Sequence, residues 1–365
     1  MSVSAVDTGN LRAGVVGLGW AGQQHMAAYD ALPGVELVGI AGMETDRATE
    51  LAARYGTTAC TSLDELLALG CDLVSIATPT AMHAPMAIQA LEAGCHVLTE
   101  KPMAETADAA RSMVTAARAN DRVLDVVFNK RRGKETVAMK QAVDQGVLGE
   151  VYYVKAGWVR RNGIPGLGSW FTRKAMAGGG PMMDIGVHVL DMALHVMGEP
   201  EVGTVSGATY AQFGPRGRGG SAGAGSAKWS SAEEGTPAFE VEDLGTAFVR
   251  MTNGATLLLE ASWAQYVPRD RIYLEVYGSE GSATLELAVG SHPGSLVVST
   301  DVAGMPAQVS PVLGAEGGHR ECVVDFVTSV RSGDWEPHRG DIGLKRTLII
   351  DGCYASAAGG HEVSV

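Results

Sequence analysis

Along the first 130 residues, short unbroken apolar runs alternate with segments whose apolar positions recur every three or four residues. Val15-Val16, Leu37-Val38-Gly39-Ile40, Leu73-Val74-Ser75-Ile76, Val97-Leu98 and Val123 to Phe128 read as strands. Between them, "HMAAYDAL", "DRATELAARYG", "LDELLALG", "APMAIQALEAG" and "ADAARSMVTAARAN" read as helices. Strands that are apolar on both faces, with helices between them, belong to a parallel sheet covered on both sides. The pattern predicts an α/β, doubly wound first domain over residues 1–130.

After residue 130 the rhythm changes. One helical segment, "GKETVAMKQAVDQGVLG", leads into a long strand pattern, "EVYYVKAGWVR". "GTAFVRMTNGATLLLEASWA" and "RIYLEVYGSEGSATLEL" then read as hairpins, turning at Asn253-Gly254 and Gly278-Ser279. "HRECVVDFVTSVRSG" and "IGLKRTLIIDGCYASAA" close the chain as two helices. Residues 131–365 are therefore expected to form an α+β domain on an antiparallel sheet. The Gly/Ser-rich stretch 214–236 reads as a long loop, whose role is open between a lid, an oligomer contact and idle sequence.

Composition narrows the functional classes. With 46% hydrophobic residues and a formal net charge of −13, the chain is expected to fold without nucleic acid or an anionic membrane as its main partner. Its apolar runs fall short of the roughly 20 residues of a membrane span, and "MSVSAVDTGNLRAG" lacks the regions of a signal peptide. A cytoplasmic location is the expectation. Cys60, Cys71, Cys95, Cys322 and Cys353 form no CxxC pair and read as reduced, mostly buried thiols rather than a metal site.

"GVVGLGWAGQQH" places Gly17, Gly19 and Gly22 in a GxGxxG pattern directly after the first strand, enclosing Trp20 and Ala21. Gly17 permits a tight turn, Gly19 lets the backbone approach a pyrophosphate, and Gly22 lets helix and strand pack closely. The helix N-terminus then offers free N–H groups to the phosphates. The ribose-binding acid expected about 20 residues further on is absent, because Gly42 stands there, followed by Met43. Glu44 would suit NAD and Arg47 a 2′-phosphate, so both NAD and NADP stay open, with both residues also readable as helix surface.

At the end of the fifth strand stands "TEKP". Lys101 there is either a solvated strand end or an ammonium aimed at a ligand, since open α/β sheets bind ligands beyond the carboxyl ends of their strands. Together, the glycine turn, "ATPTAMHAPMAIQALEAGCHVLTEKP" and "GGGPMMDIGVHVLDMALHVMG" resemble the glucose–fructose oxidoreductase, inositol dehydrogenase and rhizopine-catabolism family (Gfo/Idh/MocA), from Gly14 to about Val363. The resemblance implies a Rossmann domain, a second domain on a large open, mainly antiparallel sheet, and a nicotinamide cofactor. It also implies a homodimer or homotetramer packed through that sheet. Its substrates are mostly sugars, cyclitols and their derivatives. It further implies that Thr78, Pro79 and His83 lie along the cofactor, with Glu100 nearby.

Asp184 and His188 are four residues apart on a helix expected from Pro181 to Gly198, and so share a face. A carboxylate beside an imidazole orients it and favours its protonated form, which suits proton exchange with a substrate hydroxyl. Lys101 would hold the substrate oxygen while His188 takes its proton. Trp158, Arg160, Arg161, Asn162, Trp170 and Arg173 are candidate substrate-side groups. Asp191 and His195 continue the helix stripe and read as structural; no metal is expected. The implied function is hydride transfer between a nicotinamide cofactor and a secondary alcohol or ketone of a sugar or cyclitol. The competing readings are a reductase of a linear diol or imine, and a non-catalytic dinucleotide sensor.

Overall fold

A computed structural model describes residues 10–220, 239–315 and 317–365. It divides into two compact units. One takes the described residues up to Asn129 and those from Gly318 to Lys345; the other takes those from Lys130 to Gly317 and from Arg346 onward.

The first unit is a six-stranded parallel sheet in the order β3-β2-β1-β4-β5-β6. Its strands are β1 (Leu11–Val16), β2 (Val35–Ala41), β3 (Thr58–Cys60), β4 (Leu73–Ile76), β5 (His96–Thr99) and β6 (Leu124–Val126). Helices α1 (Trp20–Asp30), α2 (Thr45–Tyr55), α3 (Leu63–Ala68), α4 (His83–Glu92) and α5 (Ala107–Ala119) connect them. Ser62 and Thr106 open α3 and α5 by accepting the amides of Glu65 and Ala109, each satisfying a donor that the helix start leaves unused. The doubly wound sheet is as the alternation predicts. Strand β3 went unread because its three residues, two of them exposed, leave no apolar run.

The second unit carries a nine-stranded sheet in the order β14-β13-β12-β11-β7-β10-β9-β8-β15. These strands are β7 (Val151–Val159), β8 (Val202–Tyr210), β9 (Leu244–Met251), β10 (Thr256–Ser262), β11 (Arg271–Gly278), β12 (Gly281–Glu286), β13 (Ser295–Val302), β14 (Met305–Val309) and β15 (Val363–Ser364). Its neighbouring strands pair antiparallel, except β7 with β10, which are parallel. Helices α6 (Lys134–Asp144), α7 (Lys174–Ala177) and α8 (Val187–Val196) belong to this unit. Of the 214–236 stretch, Gly214–Arg216 forms a short 3-10 turn and Gly220 bridges to Ile164; from 221 it lies outside the described residues.

One expectation is corrected. Residues 131–365 do not all belong to the second unit, because α9 (His319–Ser332) returns to the first. Cys322, Val323, Phe326, Val327 and Val330 form one apolar face, and they bury it with Ala13, Val15, Met26 and Ile40 on one side of the parallel sheet. Covering that face takes the apolar side chains out of water, at roughly 1.5–3 kcal/mol for each large one fully buried. The last helix, α10 (Asp341–Gly359), runs across the division between the units.

His96 makes the first unit acid-sensitive. Its Nδ1 accepts the amide of Val123 at 3.0 Å, so the ring cannot take a proton there without losing that bond. Burial, reinforced by the nearby Arg122 and Arg339 guanidinium groups, pushes it down to about 4. An unfolded histidine titrates near about 6.5. Between those values the unfolded chain binds more protons, so His96 contributes fully above about pH 6.5 and its contribution is lost as pH falls toward 4. We expect His96→Leu to cost more stability at pH 7 than at pH 4.5. Urea unfolding of both proteins at the two pH values checks this; an equal or larger cost at pH 4.5 would contradict it.

Candidate active site

The glycine turn fits a dinucleotide. Gly17 sits at φ +103°, and a Cβ there would stand 2.2 Å from the Ala77 carbonyl oxygen. A Cβ on Gly22 would meet the Gly17 carbonyl oxygen at 1.9 Å, whereas one on Gly19 would meet nothing within 4 Å. The turn is therefore closed behind the backbone at Gly17 and Gly22, and open at Gly19, where a pyrophosphate would approach. Gly19 is also the N-cap of α1 and supplies no side-chain cap, which leaves the first amides to a ligand. Trp20, 66% exposed, and Ala21 open that helix. Gln23 braces the turn by donating to the carbonyl oxygens of Leu18 and Gly19.

At the end of β2, a Cβ on Gly42 would press on the Leu18 side chain at 2.5 Å, and Glu44 Oε2 lies 3.4 Å from the same point. The Glu44 carboxylate thus reaches back to the place where an acidic residue was expected. Arg47 donates to Gln23 Oε1 at 3.0 Å and to Glu50 at 2.8 Å. Met43 is 91% exposed.

Beyond β4, Thr78 and Pro79 lead into a 3-10 turn, and His83 lies behind them, buried. Its Nδ1 is 2.9 Å from the Pro102 carbonyl oxygen and its Nε2 2.9 Å from that of Thr78. Burial pushes His83 down, against the pull of both carbonyls. A neutral ring has one N–H to give. His83 therefore donates to one of these two carbonyl oxygens and packs against the other, between the Thr78 backbone and the strand end that carries Lys101. The Lys101–Pro102 peptide is cis, and Lys101 is half-buried. Glu100 turns inward. His25 Nε2 stands 3.2 Å and His319 Nε2 3.4 Å from its Oε1, and the Lys101 amide donates to Oε2 at 3.2 Å. Burial opposes its charge, but the two imidazoles outweigh that and hold the carboxyl well below the usual range.

In the second unit, the helix carrying Asp184 and His188 does not begin as a plain α-helix. Met182–Gly186 is π-helical and only then continues as α8. Single π turns recur at functional sites, and this one lies within the Asp184–His188 spacing. Asp184 Oδ2 accepts the indole N–H of Trp263 at 3.0 Å. His188, 8% exposed, packs by Trp158 with ring centroids 5.6 Å apart. The Arg160 guanidinium carbon lies 5.0 Å and Lys130 Nζ 5.7 Å from the centre of the Trp158 ring. Trp158, Arg160 and His188 therefore come together. Arg161 is turned away, with its amide on Asp270 and its guanidinium on the Val267 carbonyl oxygen. Asn162 is exposed, Trp170 stacks on Phe171 at 3.8 Å, and Arg173 is half-buried before α7.

The start of this helix is fixed by a residue the sequence reading passed over. Glu242, buried, accepts the amides of Gly180 at 2.9 Å and Met182 at 3.2 Å and the hydroxyl of Tyr354 at 2.8 Å. Burial still pushes its carboxyl up. A Cβ on Gly179 would meet the Tyr354 hydroxyl at 2.0 Å and one on Gly180 the Glu242 carbonyl oxygen at 2.1 Å, which accounts for the glycine run before Pro181. Asp243 accepts the amides of Phe213 and Gly214, and its carbonyl oxygen accepts that of Trp263. Three acids in "EVED" leading into an apolar strand were the available signal, because buried carboxylates need donors.

In the middle of α8, Asp191 is held by Arg131 and by Arg346, which also forks onto Glu199 with both bonds at 2.6 Å. His195, pushed down to about 4 by burial and then by Arg131, stays neutral. Asp191 is thereby taken up by ion pairs within its own unit. No group of three or more potential metal ligands occurs among the described residues. The five cysteines are free, and burial pushes Cys71 and Cys353 up to about 12 and Cys95 to about 11. No helix among the described residues is long and apolar enough to cross a membrane.

Residues 11–128 match the family model described as an oxidoreductase family with an NAD-binding Rossmann fold, and residues 136–284 match that of the GFO/IDH/MocA C-terminal domain. D-glucoside 3-dehydrogenase of Escherichia coli (strain K12) is 35% identical over 286 residues, which is 77% of this chain and 79% of that protein. Levoglucosan dehydrogenase of Pseudarthrobacter phenanthrenivorans is 31% identical over 288 residues, 75% of this chain and 73% of that protein. Among solved structures, levoglucosan dehydrogenase in complex with NADH and levoglucosan superimposes with a TM-score of 0.81 at 27% identity. That match covers 98% of this chain and 99% of the other.

Trp263→Phe keeps an aromatic, though smaller, side chain in the core and removes the donor to the Asp184 carboxylate, worth about 1.5 kcal/mol or roughly tenfold in rate if Asp184 serves the reaction. We expect turnover to fall by that order, with a thermal midpoint within a few degrees of wild type. Steady-state turnover and a melting curve check both.

Proposed function

The chain belongs to the GFO/IDH/MocA oxidoreductase family, and from that membership we propose that it oxidises a secondary alcohol, or reduces the ketone, of a sugar, cyclitol or sugar derivative. One observation carries the substrate reading. The Trp158 ring lies beside His188 and the Arg160 guanidinium, an aromatic face next to a proton acceptor and a hydrogen-bond fork. Such a face suits the C–H side of a sugar ring, and the fork suits its hydroxyls.

Bound NAD supplies the acceptor for the hydride that leaves the carbinol carbon. The hydroxyl proton goes to His188, whose helix is held at its start by Glu242 and at Asp184 by Trp263. Lys101 donates a hydrogen bond to the substrate oxygen and stabilises the negative charge that grows there as the proton leaves. In reduction the same groups act in reverse, with His188 returning the proton. Gly17, Gly19, Gly22, Trp20 and Ala21 receive the pyrophosphate. Glu44 holds the adenosine ribose and repels a 2′-phosphate, the basis for a preference for NAD over NADP.

We extend the proposal to assembly and location. The Tyr153 and Tyr277 rings stack at 5.6 Å, and Lys155 Nζ lies within 6 Å of both ring centres on the large sheet. This aromatic, partly exposed face supports a homodimer or homotetramer formed through the sheet. Free, buried thiols support a cytoplasmic setting.

A screen of sugars and inositols for absorbance change at the nicotinamide band tests the substrate class; no response across it would remove the sugar reading. With a substrate in hand, Lys101→Met and His188→Ala should each slow single-turnover hydride transfer by roughly 100-fold while leaving NADH affinity within about threefold. A wild-type rate in either folded variant would take that residue out of the mechanism. Glu44→Gln should narrow the NAD-over-NADP preference by about tenfold, the order of one lost charged hydrogen bond. Calorimetric titration with both cofactors measures it, and an unaltered ratio would return Glu44 to the helix surface.

A further inference from the structure

His319 is the first residue of α9 and lies in the segment that returns to the first unit at Gly318. Its ring meets four residues on three separate pieces of that unit. Nε2 stands 3.4 Å from Glu100 Oε1, at the end of β5. Nδ1 is 3.1 Å from the Asn129 side-chain amide, beyond β6. The ring packs edge-on with Trp20 at a centroid distance of 4.8 Å and an interplanar angle of 87°. It lies 6.3 Å from the ring of His25, further along α1.

The hydrogen-bond roles follow from the partners. An ionised carboxylate only accepts, so His319 Nε2 carries a hydrogen toward Glu100, and Nδ1 is left to accept from Asn129. Both ring nitrogens are thus engaged. Glu100 in turn accepts the Lys101 amide. Its second imidazole, His25, is fully buried. The position of α9 is set independently, by Glu321 accepting the Gly318 amide at 2.6 Å and by the apolar face buried on the sheet. The ring is delivered to this place by the packing of a whole helix rather than by its own contacts.

We propose that His319 is a positioning residue acting in two directions: through Glu100 it sets the strand end bearing Lys101, and through its ring it holds the Trp20 indole at the phosphate-receiving end of α1. Its two kinds of contact are chemically separable. His319→Phe keeps an aromatic ring beside Trp20 and loses both hydrogen bonds. His319→Gln keeps a donor for Glu100 and loses the ring.

The proposal rests on the role given to Lys101 above, and the test keeps the two apart. NADH affinity is measured by calorimetry, hydride transfer in a single turnover with cofactor bound beforehand, and the thermal midpoint by melting. His319→Phe should slow hydride transfer about tenfold with NADH affinity within about threefold of wild type. His319→Gln should weaken NADH about tenfold and lose less in rate than in affinity. Changes in equal proportion in both variants, or no change in either quantity, would overturn the proposal, because a merely structural histidine has no reason to divide its effects this way. Should either variant not fold, Asn129→Ala replaces His319→Phe and Trp20→Ala replaces His319→Gln, with the same two patterns expected and the same outcomes decisive. Lys101→Met runs alongside. If it transfers hydride at the wild-type rate, the Lys101 role falls and the NADH arm alone judges His319. If it is slow while both His319 arms stay level, the His319 proposal falls by itself.

Discussion

A carboxylate removed from water costs several kcal/mol unless donors meet it, and this constraint fixes most of the residues described above. Glu100 is met by His25, His319 and the Lys101 amide. Glu242 is met by two amides and the Tyr354 hydroxyl. Asp191 is met by Arg131 and Arg346. Each set includes donors from elements distant in sequence, so each carboxylate ties those elements together. Glu242 holds the start of the helix bearing His188, Asp191 lies within that helix, and Glu100 sits beside Lys101. Structural burial of charge and the placement of reactive groups are here the same interaction.

The parallel sheet was readable because its central strands are buried on both faces and leave runs such as Leu73–Ile76 that no helix pattern imitates. The large sheet was only half readable. β7, β9, β10, β11 and β12 alternate strongly or sit in tight hairpins, whereas β8 is rich in Gly, Ser and Thr and half-exposed along most of its length, and β14 is largely exposed at the sheet's edge. The amphipathic face of α9 was visible from its period, but a period says that a helix packs, not on which sheet. The glycine turn was legible for a firmer reason: contacts near 2 Å at Gly17 and Gly22, with a positive φ at Gly17, leave no room for a side chain at those two positions.

The site shows the same division. Lys101, Asp184 and His188 stood out as charged or titratable groups at element ends, and Trp158 was named as a candidate that does lie beside His188. Their supports did not stand out. Trp263 lies 79 residues from Asp184 and Glu242 lies 62 from Gly180, separations at which no local pattern pairs them. The π turn was equally invisible, since Met182–Gly186 is composed of residues that suit an ordinary helix.

The return of α9 has a consequence for biosynthesis. One face of the parallel sheet, around Ala13, Val15, Met26 and Ile40, is completed only by side chains between Cys322 and Val330. A ribosome adding about 5–20 residues per second leaves that face covered in part, by α1 and α2, for on the order of tens of seconds after β6 has emerged. The nascent Rossmann half therefore keeps apolar surface exposed, the kind of surface through which incomplete chains associate, until α9 has been made. Its maturation is timed by the length of the sequence inserted before α9.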